Sequence, residues 1–239
     1  MAENLLQVSG VSKHFGGFTA LSDVSLGIAA GERFGLIGPN GSGKTTLINC
    51  ISGLLRNDAG QIIFNGKQIA GMPPYQRTRL GIARSFQVPR PFHSMSVLEN
   101  LLVPSAYVAH MKDAEGEAQA MELLRGMGLA EKAHLYANQL SQVELRKLEL
   151  ARAMAARPRL LISDEAMAGL SGSEVDEVLA ILFKLNESGI AIIMIEHIMQ
   201  AVMRLSQRVI CLDAGKIICE GTPASIVQNP EVQKAYLGA

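Results

Sequence analysis

The run Gly38-Pro39-Asn40-Gly41-Ser42-Gly43-Lys44-Thr45-Thr46 constrains this chain more than any other stretch. It follows 32–37 (ERFGLI), which has the apolar density of a buried strand. It precedes 46–54, where apolar residues recur at helical spacing. Glycines there let the backbone curl until successive N–H groups converge on one concavity. The helix that starts beside them adds unpaired N–H groups and the positive end of its dipole. Lys44 supplies a mobile cation for β- and γ-phosphates. Thr45 supplies a hydroxyl suited to Mg²⁺, which keeps mostly phosphate and water ligands. Gly-x-x-x-x-Gly-Lys-Thr between a strand and a helix therefore predicts a phosphate-binding loop in an α/β fold.

The remaining pattern fits such a fold. Residues 5–29 read as short strands, with Phe15 in a glycine-flanked loop, and 60–65 as another strand before the turn Asn65-Gly66. Residues 67–79 are polar and loop-like. A short strand from 82 ends at Gln87. Pro89 and Pro91 then break the chain, and Ser96, with Glu99 three residues on, predicts a capped helix. Residues 113–128 and 141–156 have helical periodicity, so 88–155 reads as a helical lobe inserted into the core. Strands at 159–163 and 191–195 alternate with helices at 174–187 and 197–205. A hairpin around 213–215 and two short helices broken by Pro230 complete the chain. Alternating strands and helices predict a mainly parallel sheet, with ligands at the carboxyl ends of its strands.

Polar residues fall where buried strands end. Asp164 stands where a carboxylate holds Mg²⁺, and Glu165 beside it can orient or deprotonate a water. Such a pair is otherwise a helix cap or a solvated loop. Gln87 fits a contact with Mg²⁺ and water, or an ordinary loop amide. His197 fits a donor to the γ-phosphate, or a residue that merely starts a helix. Phe15 is placed to stack on adenine, or to fill the core.

Composition excludes several alternatives. Lys+Arg and Asp+Glu balance at 22 each, which is no footprint of a nucleic-acid binder. The N-terminus lacks an export signal, and no apolar run approaches a membrane span. A cytosolic location is expected, with any membrane role through partners. Cys50, Cys211 and Cys219 sit in apolar runs without metal-ligand spacing, which reads as reduced core thiols.

The order and spacing of 38–46, Gln87, Asp164-Glu165, Ala168-Gly169-Leu170-Ser171 and His197 resemble an ABC transporter ATPase subunit. They look like its Walker A, Q-loop, Walker B with catalytic glutamate, D-loop and H-switch. Within that family the chain is similar to the ATPases of branched-chain amino acid importers. The similar stretches are IARSFQ at 82–87, MSVLEN at 95–100, MAGL at 167–170, EGTP at 220–223 and AYLG at 235–238. The resemblance implies a P-loop NTPase core with a mainly parallel sheet, an N-terminal antiparallel β subdomain and an inserted helical lobe. Residues 1–87 and 156–239 would form the nucleotide-binding core, and 88–155 the signature lobe that meets the membrane subunits. It implies ATP and Mg²⁺, with Thr45, Gln87 and Asp164 at the metal, Glu165, His197 and Gln87 in catalysis, and Phe15 on adenine. It further implies a second ATPase subunit, two transmembrane permease subunits and a periplasmic substrate-binding protein, on the cytoplasmic face of the inner membrane.

Two positions depart from the family pattern. The signature, normally Leu-Ser-Gly-Gly-Gln, is Leu140-Ser141-Gln142-Val143-Glu144, and Ala166 replaces a common proline. In this family the signature of one subunit covers the γ-phosphate held by the other, where glycine permits close backbone approach and Val143 hinders it. A heterodimer with one weakened site is one expectation. Alternatives to amino-acid import are the motor of a lipid or lipopolysaccharide exporter, a nucleotide switch acting on DNA or ribosomes, and a subunit that binds nucleotide with weakened hydrolysis.

Overall fold

A computed structural model describes residues 4–86 and 88–237, the last through its backbone alone. Its centre is a six-stranded sheet in the order β10-β9-β3-β8-β7-β6. The strands β6 (Ile82–Ser85), β7 (Leu160–Asp164), β8 (Ala191–Ile195), β3 (Arg33–Ile37) and β9 (Arg208–Asp213) run parallel, and β10 (Lys216–Gly221) returns antiparallel. The expected mainly parallel sheet is therefore present.

Both faces of that sheet are covered, and alternation along each strand assigns every side chain to one side. Leu36, Ile162, Ile193 and Ile210 point into a core shared with α1 (Lys44–Ser52) and the N-terminal sheet. Ile37, Leu161, Met194 and Cys211 point into the opposite core, built with α3 (Val97–Tyr107), α4 (Asp113–Gly126), α5 (Gln142–Ala155), α6 (Gly172–Glu187) and α7 (Met199–Leu205). The helix starts follow their caps: Ser96, Ser141 and Ser171 each form a capping box with a glutamate three residues on. Two short tail helices, α8 (Pro223–Gln228) and α9 (Pro230–Leu237), close the second layer.

The N-terminal sheet is antiparallel, in the order β2-β1-β4-β5. The short strands expected over 5–29 are two long ones, β1 (Asn4–Phe15) and β2 (Phe18–Ala29), joined at Gly16-Gly17. Phe15 is accordingly not a loop residue. It ends β1, paired with Phe18. Register shifts along the pair absorb the irregular alternation that made it look like fragments.

The expectation of a loop over 67–79 is also corrected. That stretch contains β5 (Lys67–Gln68) and most of α2 (Pro74–Leu80), with β4 (Ala59–Phe64) before them. Pro74 presets the first turn and Gly81, at φ 107°, ends the helix. The helix looks polar because the side chain it buries is an arginine. Arg77 is 1% exposed; its Nη1 donates to the carbonyls of Cys50 (2.6 Å) and Ile51 (2.8 Å), and its Nε to Met72 (3.0 Å). It thus caps the C-terminus of α1, where orphan carbonyls and the negative dipole end favour a cation. Arg77→Ala should lower unfolding stability by about 3 kcal/mol, and Arg77→Lys should restore only part of it, because the planar fork is lost. Chemical denaturation of the two variants checks both values; wild-type stability in Arg77→Ala would refute the cap.

Candidate functional site

The carboxyl ends of the parallel strands meet along one edge. Register aligns Leu36 with Ile195 and Asp164 with Ile195, so the segments leaving β3, β7 and β8 emerge side by side. The segment after β3 is the glycine-rich loop. Gly38 (φ 146°) packs so tightly that a Cβ would lie 2.1 Å from the Leu212 carbonyl oxygen. A Cβ on Gly43 (φ 106°) would lie 2.7 Å from that of Ala20. No larger residue fits either position. Gly43 stands at the N-cap of α1 and gives its first turn no side-chain cap. The first-turn N–H groups therefore face the loop's concavity.

A cavity of about 270 Å³ opens there. It is lined by loop residues 40–46, Phe15, Phe18, Glu165 and His197. The structure thus brings together Phe15, Asn40, Gly41, Ser42, Gly43, Lys44, Thr45, Thr46, Glu165 and His197. Gly38 and Pro39 form the loop's stem. Phe18, across the hairpin from Phe15, is a lining residue that sequence reasoning missed. Its signal was present: two phenylalanines flank one glycine pair.

Ser42 and Lys44 show the loop's chemistry. The Ser42 hydroxyl is buried and, among the described residues, has no hydrogen-bond partner. A buried orphan of this kind fits a phosphate oxygen as its partner. Lys44 Nζ donates to the carbonyls of Gly38 (2.6 Å) and Pro39 (2.9 Å), curled over its own loop. Burial lowers its pKa, while Glu165, Cys211 and Asp164 pull it back up.

Opposite the loop lies an acidic edge. Glu165 adopts φ +48°, rare for a residue with a side chain. Its N–H donates to Ile195, and its Oε1 lies 2.9 Å from His197 Nε2. His197 precedes α7 by two residues, in the link after β8, rather than starting the helix. Asp164 Oδ2 accepts from Arg84 Nη2 (2.5 Å) and Nε (3.2 Å), and Arg84 Nη1 also donates to Asn49 Oδ1 (2.7 Å). Arg84 was not anticipated as part of the site. An arginine inside a buried strand signals a carboxylate partner, but the sequence does not say which one.

Three expected segments stand apart from the cavity. Leu140, Ser141, Gln142, Val143 and Glu144 do not line it; Ser141 caps α5 and Glu144 closes the capping box. Ala168, Gly169, Leu170 and Ser171 run beside them, with the Gln142 amide about 3.0 Å from where a Gly169 Cβ would lie. Asp164 does not line the cavity and sits behind Glu165. Gln87 lies outside the described residues.

Two further residues join these parts. Arg146, buried on α5, donates to the carbonyls of Phe86 (3.4 Å) and Ala168 (3.5 Å). Glu196, 2% exposed, accepts the Met167 N–H at 2.9 Å. Burial pushes the Glu196 carboxyl up to about 7. The Met167 N–H and Arg146 oppose that shift, and Glu165 and Asp164 reinforce it.

Among known proteins, a family model described as ABC transporter matches residues 21–168, and one described as branched-chain amino acid ATP-binding cassette transporter matches residues 216–239. The chain is 37% identical over 253 residues to the high-affinity branched-chain amino acid transport ATP-binding protein BraF of Pseudomonas aeruginosa, covering 100% of this chain and 99% of that protein. It is 38% identical over 246 residues to the probable branched-chain amino acid transport ATP-binding protein LivG of Archaeoglobus fulgidus, covering 98% and 96%. The solved ADP conformation of MJ1267, an ATP-binding cassette of an ABC transporter, superposes with a TM-score of 0.91 at 31% identity over 100% of both chains. A dimeric post-hydrolysis cassette, MJ0796 bound to ADP and Pi, superposes at 0.82 with 26% identity, covering 91% of this chain and 98% of that one.

The Glu196 environment sets a pH dependence. The folded protein holds this proton up to about 7, whereas the ordinary carboxyl value is 4.5. Between those values the folded state binds the extra proton, so the contribution is full below 4.5 and is lost as pH rises through 7. Glu196→Gln keeps an acceptor for Met167 and removes the titration. It should be more stable than wild type at about pH 8, by on the order of 3 kcal/mol, and near wild type at about pH 4.5. Denaturation curves at both pH values test this; an equal difference at both would exclude it.

Proposed function

The chain belongs to the ATP-binding subunits of ABC transporters, and from that premise we propose that it hydrolyses ATP to energise import of branched-chain amino acids. The observation that carries the reading is one cavity lined by loop 40–46, Phe15, Glu165 and His197. The triphosphate enters the cradle of loop and α1 amides, with the Ser42 hydroxyl as an additional contact and Phe15, flanked by Phe18, against adenine. Lys44 turns from the Gly38 and Pro39 carbonyls to the phosphates. Glu165 orients and deprotonates the attacking water, and His197, bonded to Glu165, holds that carboxylate in place.

Mg²⁺ fits the donors present. Thr45 lines the cavity and offers a hard oxygen ligand. Asp164, held by Arg84 outside the lining, would reach the ion through water, and Gln87 is a further ligand by resemblance. Among the described residues no group of three His, Cys, Asp or Glu side chains could hold a metal by itself, which suits an ion ligated mainly by phosphate and water. Mg²⁺, when bound, would neutralise phosphoryl charge.

The partners in this reading are a second ATPase subunit, two permease subunits and a periplasmic substrate-binding protein, at the cytoplasmic face of the inner membrane. No helix among the described residues is long and apolar enough to cross a membrane. An apolar groove of about 300 Å³ lies between α2, α3 and α5, with Leu54, Phe92 and Tyr107 exposed around it. That groove suits a permease segment, with 88–155 as the lobe that carries the motion. The relatives' names, which print branched-chain amino acid transport, favour that cargo over lipid. Affinity purification of the tagged chain from membranes should recover the permeases and a second ATPase; recovery of lipid-export components instead would overturn the importer reading.

Glu165→Gln should retain ATP binding and reduce turnover by at least about 100-fold in the assembled transporter. Turnover within threefold of wild type would remove Glu165 from the mechanism.

A second reading concerns the signature. The N-terminus of α5 already carries the Glu144 carboxylate, which accepts the Ser141 N–H (2.9 Å) and pairs with Lys132 Nζ (2.5 Å). A negative group there, with Val143 beside it, opposes the approach of a partner's γ-phosphate. The site that this signature covers is then the weaker of two in a heterodimer, while this chain's own loop faces an intact partner signature. Replacing Gln142-Val143-Glu144 by Gly-Gly-Gln in the assembled transporter should raise ATP turnover about two- to tenfold. No increase would refute the asymmetry.

A further inference from the structure

The first peptide of the phosphate-binding loop is held from the far end of the chain. The β3 ladder ends at Ile37, paired with Cys211, so the Gly38 N–H has no strand partner. It donates to the Tyr236 hydroxyl at 2.8 Å, across 198 residues of sequence. Gly38 is therefore gripped from two sides: its carbonyl takes Lys44 Nζ, and its N–H gives to Tyr236.

The tail that carries Tyr236 is built into the molecule. Asn229 Oδ1 accepts the N–H groups of Glu231 (2.8 Å) and Val232 (3.3 Å), which starts α9. Its Nδ2 reaches Cys219 Sγ on β10. Ile226 and Val232 are buried in the core. Tyr236 stands four residues after Val232 and so projects from the same helix face. A buried valine anchors that face, and the phenol one turn on reaches the loop.

The loop's other supports have different fates. The Gly215 N–H holds the Ser42 carbonyl at 2.9 Å from the β9–β10 turn. Lys44 holds Gly38 only while it is not engaged with a phosphate. Once Lys44 turns away, the Tyr236 bond remains at Gly38, where φ is 146° and a Cβ would meet the Leu212 carbonyl.

We propose that Tyr236 is a positioning residue of the phosphate-binding loop, and that docking of α9 and binding of nucleotide favour one another. This rests on the proposed ATP site. Linkage makes the effect reciprocal: if the docked tail tightens nucleotide, nucleotide tightens the docked tail by the same factor.

The test uses the full chain and Tyr236→Phe, which keeps the ring and removes only the hydroxyl. Binding of a fluorescent ATP analogue with Mg²⁺ should weaken about three- to tenfold, the size of one hydrogen bond. In the assembled transporter the KM for ATP should rise by a similar factor, with kcat within about twofold. Hydrogen exchange of residues 230–237 should slow on nucleotide addition in wild type and lose that response in the variant. A variant that melts earlier but binds the analogue as tightly as wild type would overturn the inference, as would wild-type exchange in 230–237 that ignores nucleotide. A wild-type chain that fails to bind the analogue would instead sink the ATP site itself, and this inference with it.

Discussion

Burial of the central sheet on both faces is the constraint from which the rest follows. Strands β7 and β8 are buried throughout, and β3 almost so. Nothing charged can sit mid-strand there without a partner, since desolvating an unpaired charge is costly. The polar groups are pushed to the strand ends, and parallel strands put those ends on one edge. Asp164, Glu165, Glu196 and His197 sit there because there is nowhere else for them. Arg84, inside β6, is matched by Asp164.

That edge is electrostatically crowded. Three carboxylates, Asp164, Glu165 and Glu196, lie near the cations Lys44, Arg84 and Arg146. Each cation has a separate attachment. Lys44 belongs to the loop, Arg84 ties β7 to α1, and Arg146 ties α5 to the backbone after β6 and β7. A negatively charged ligand entering the cavity changes the balance at Lys44 first, because among the described residues that ammonium's hydrogen bonds go to the carbonyls of Gly38 and Pro39. Glu196 sits deepest and responds to burial more than to any neighbour.

Much of this was legible in the sequence because it rests on local patterns. The strand–loop–helix around 38–46, the serine–glutamate caps at 96, 141 and 171, and the run of apolar strands each carry their own periodicity or spacing. The site residues 40–46, Glu165 and His197 followed from them. What stayed hidden depends on long-range partners. Arg77 made α2 look like a loop, because its reward lies on α1. Arg84, Arg146 and Glu196 are ordinary charges until the fold supplies what they face. Phe18 was overlooked because the pairing with Phe15 exists only once β1 and β2 are drawn out to full length. Tyr236 is the extreme case, since nothing near it in sequence speaks of Gly38.

The Arg84 contacts have a mechanical consequence. By joining Asn49 on the loop's helix to Asp164 at the tip of β7, the guanidinium ties α1 to the sheet behind the cavity. Relative motion between the lysine-bearing side and the acidic side is thereby suppressed at that depth. Movement around a ligand then falls to elements outside that link, such as α5, which Arg146 holds to the carbonyls of Phe86 and Ala168.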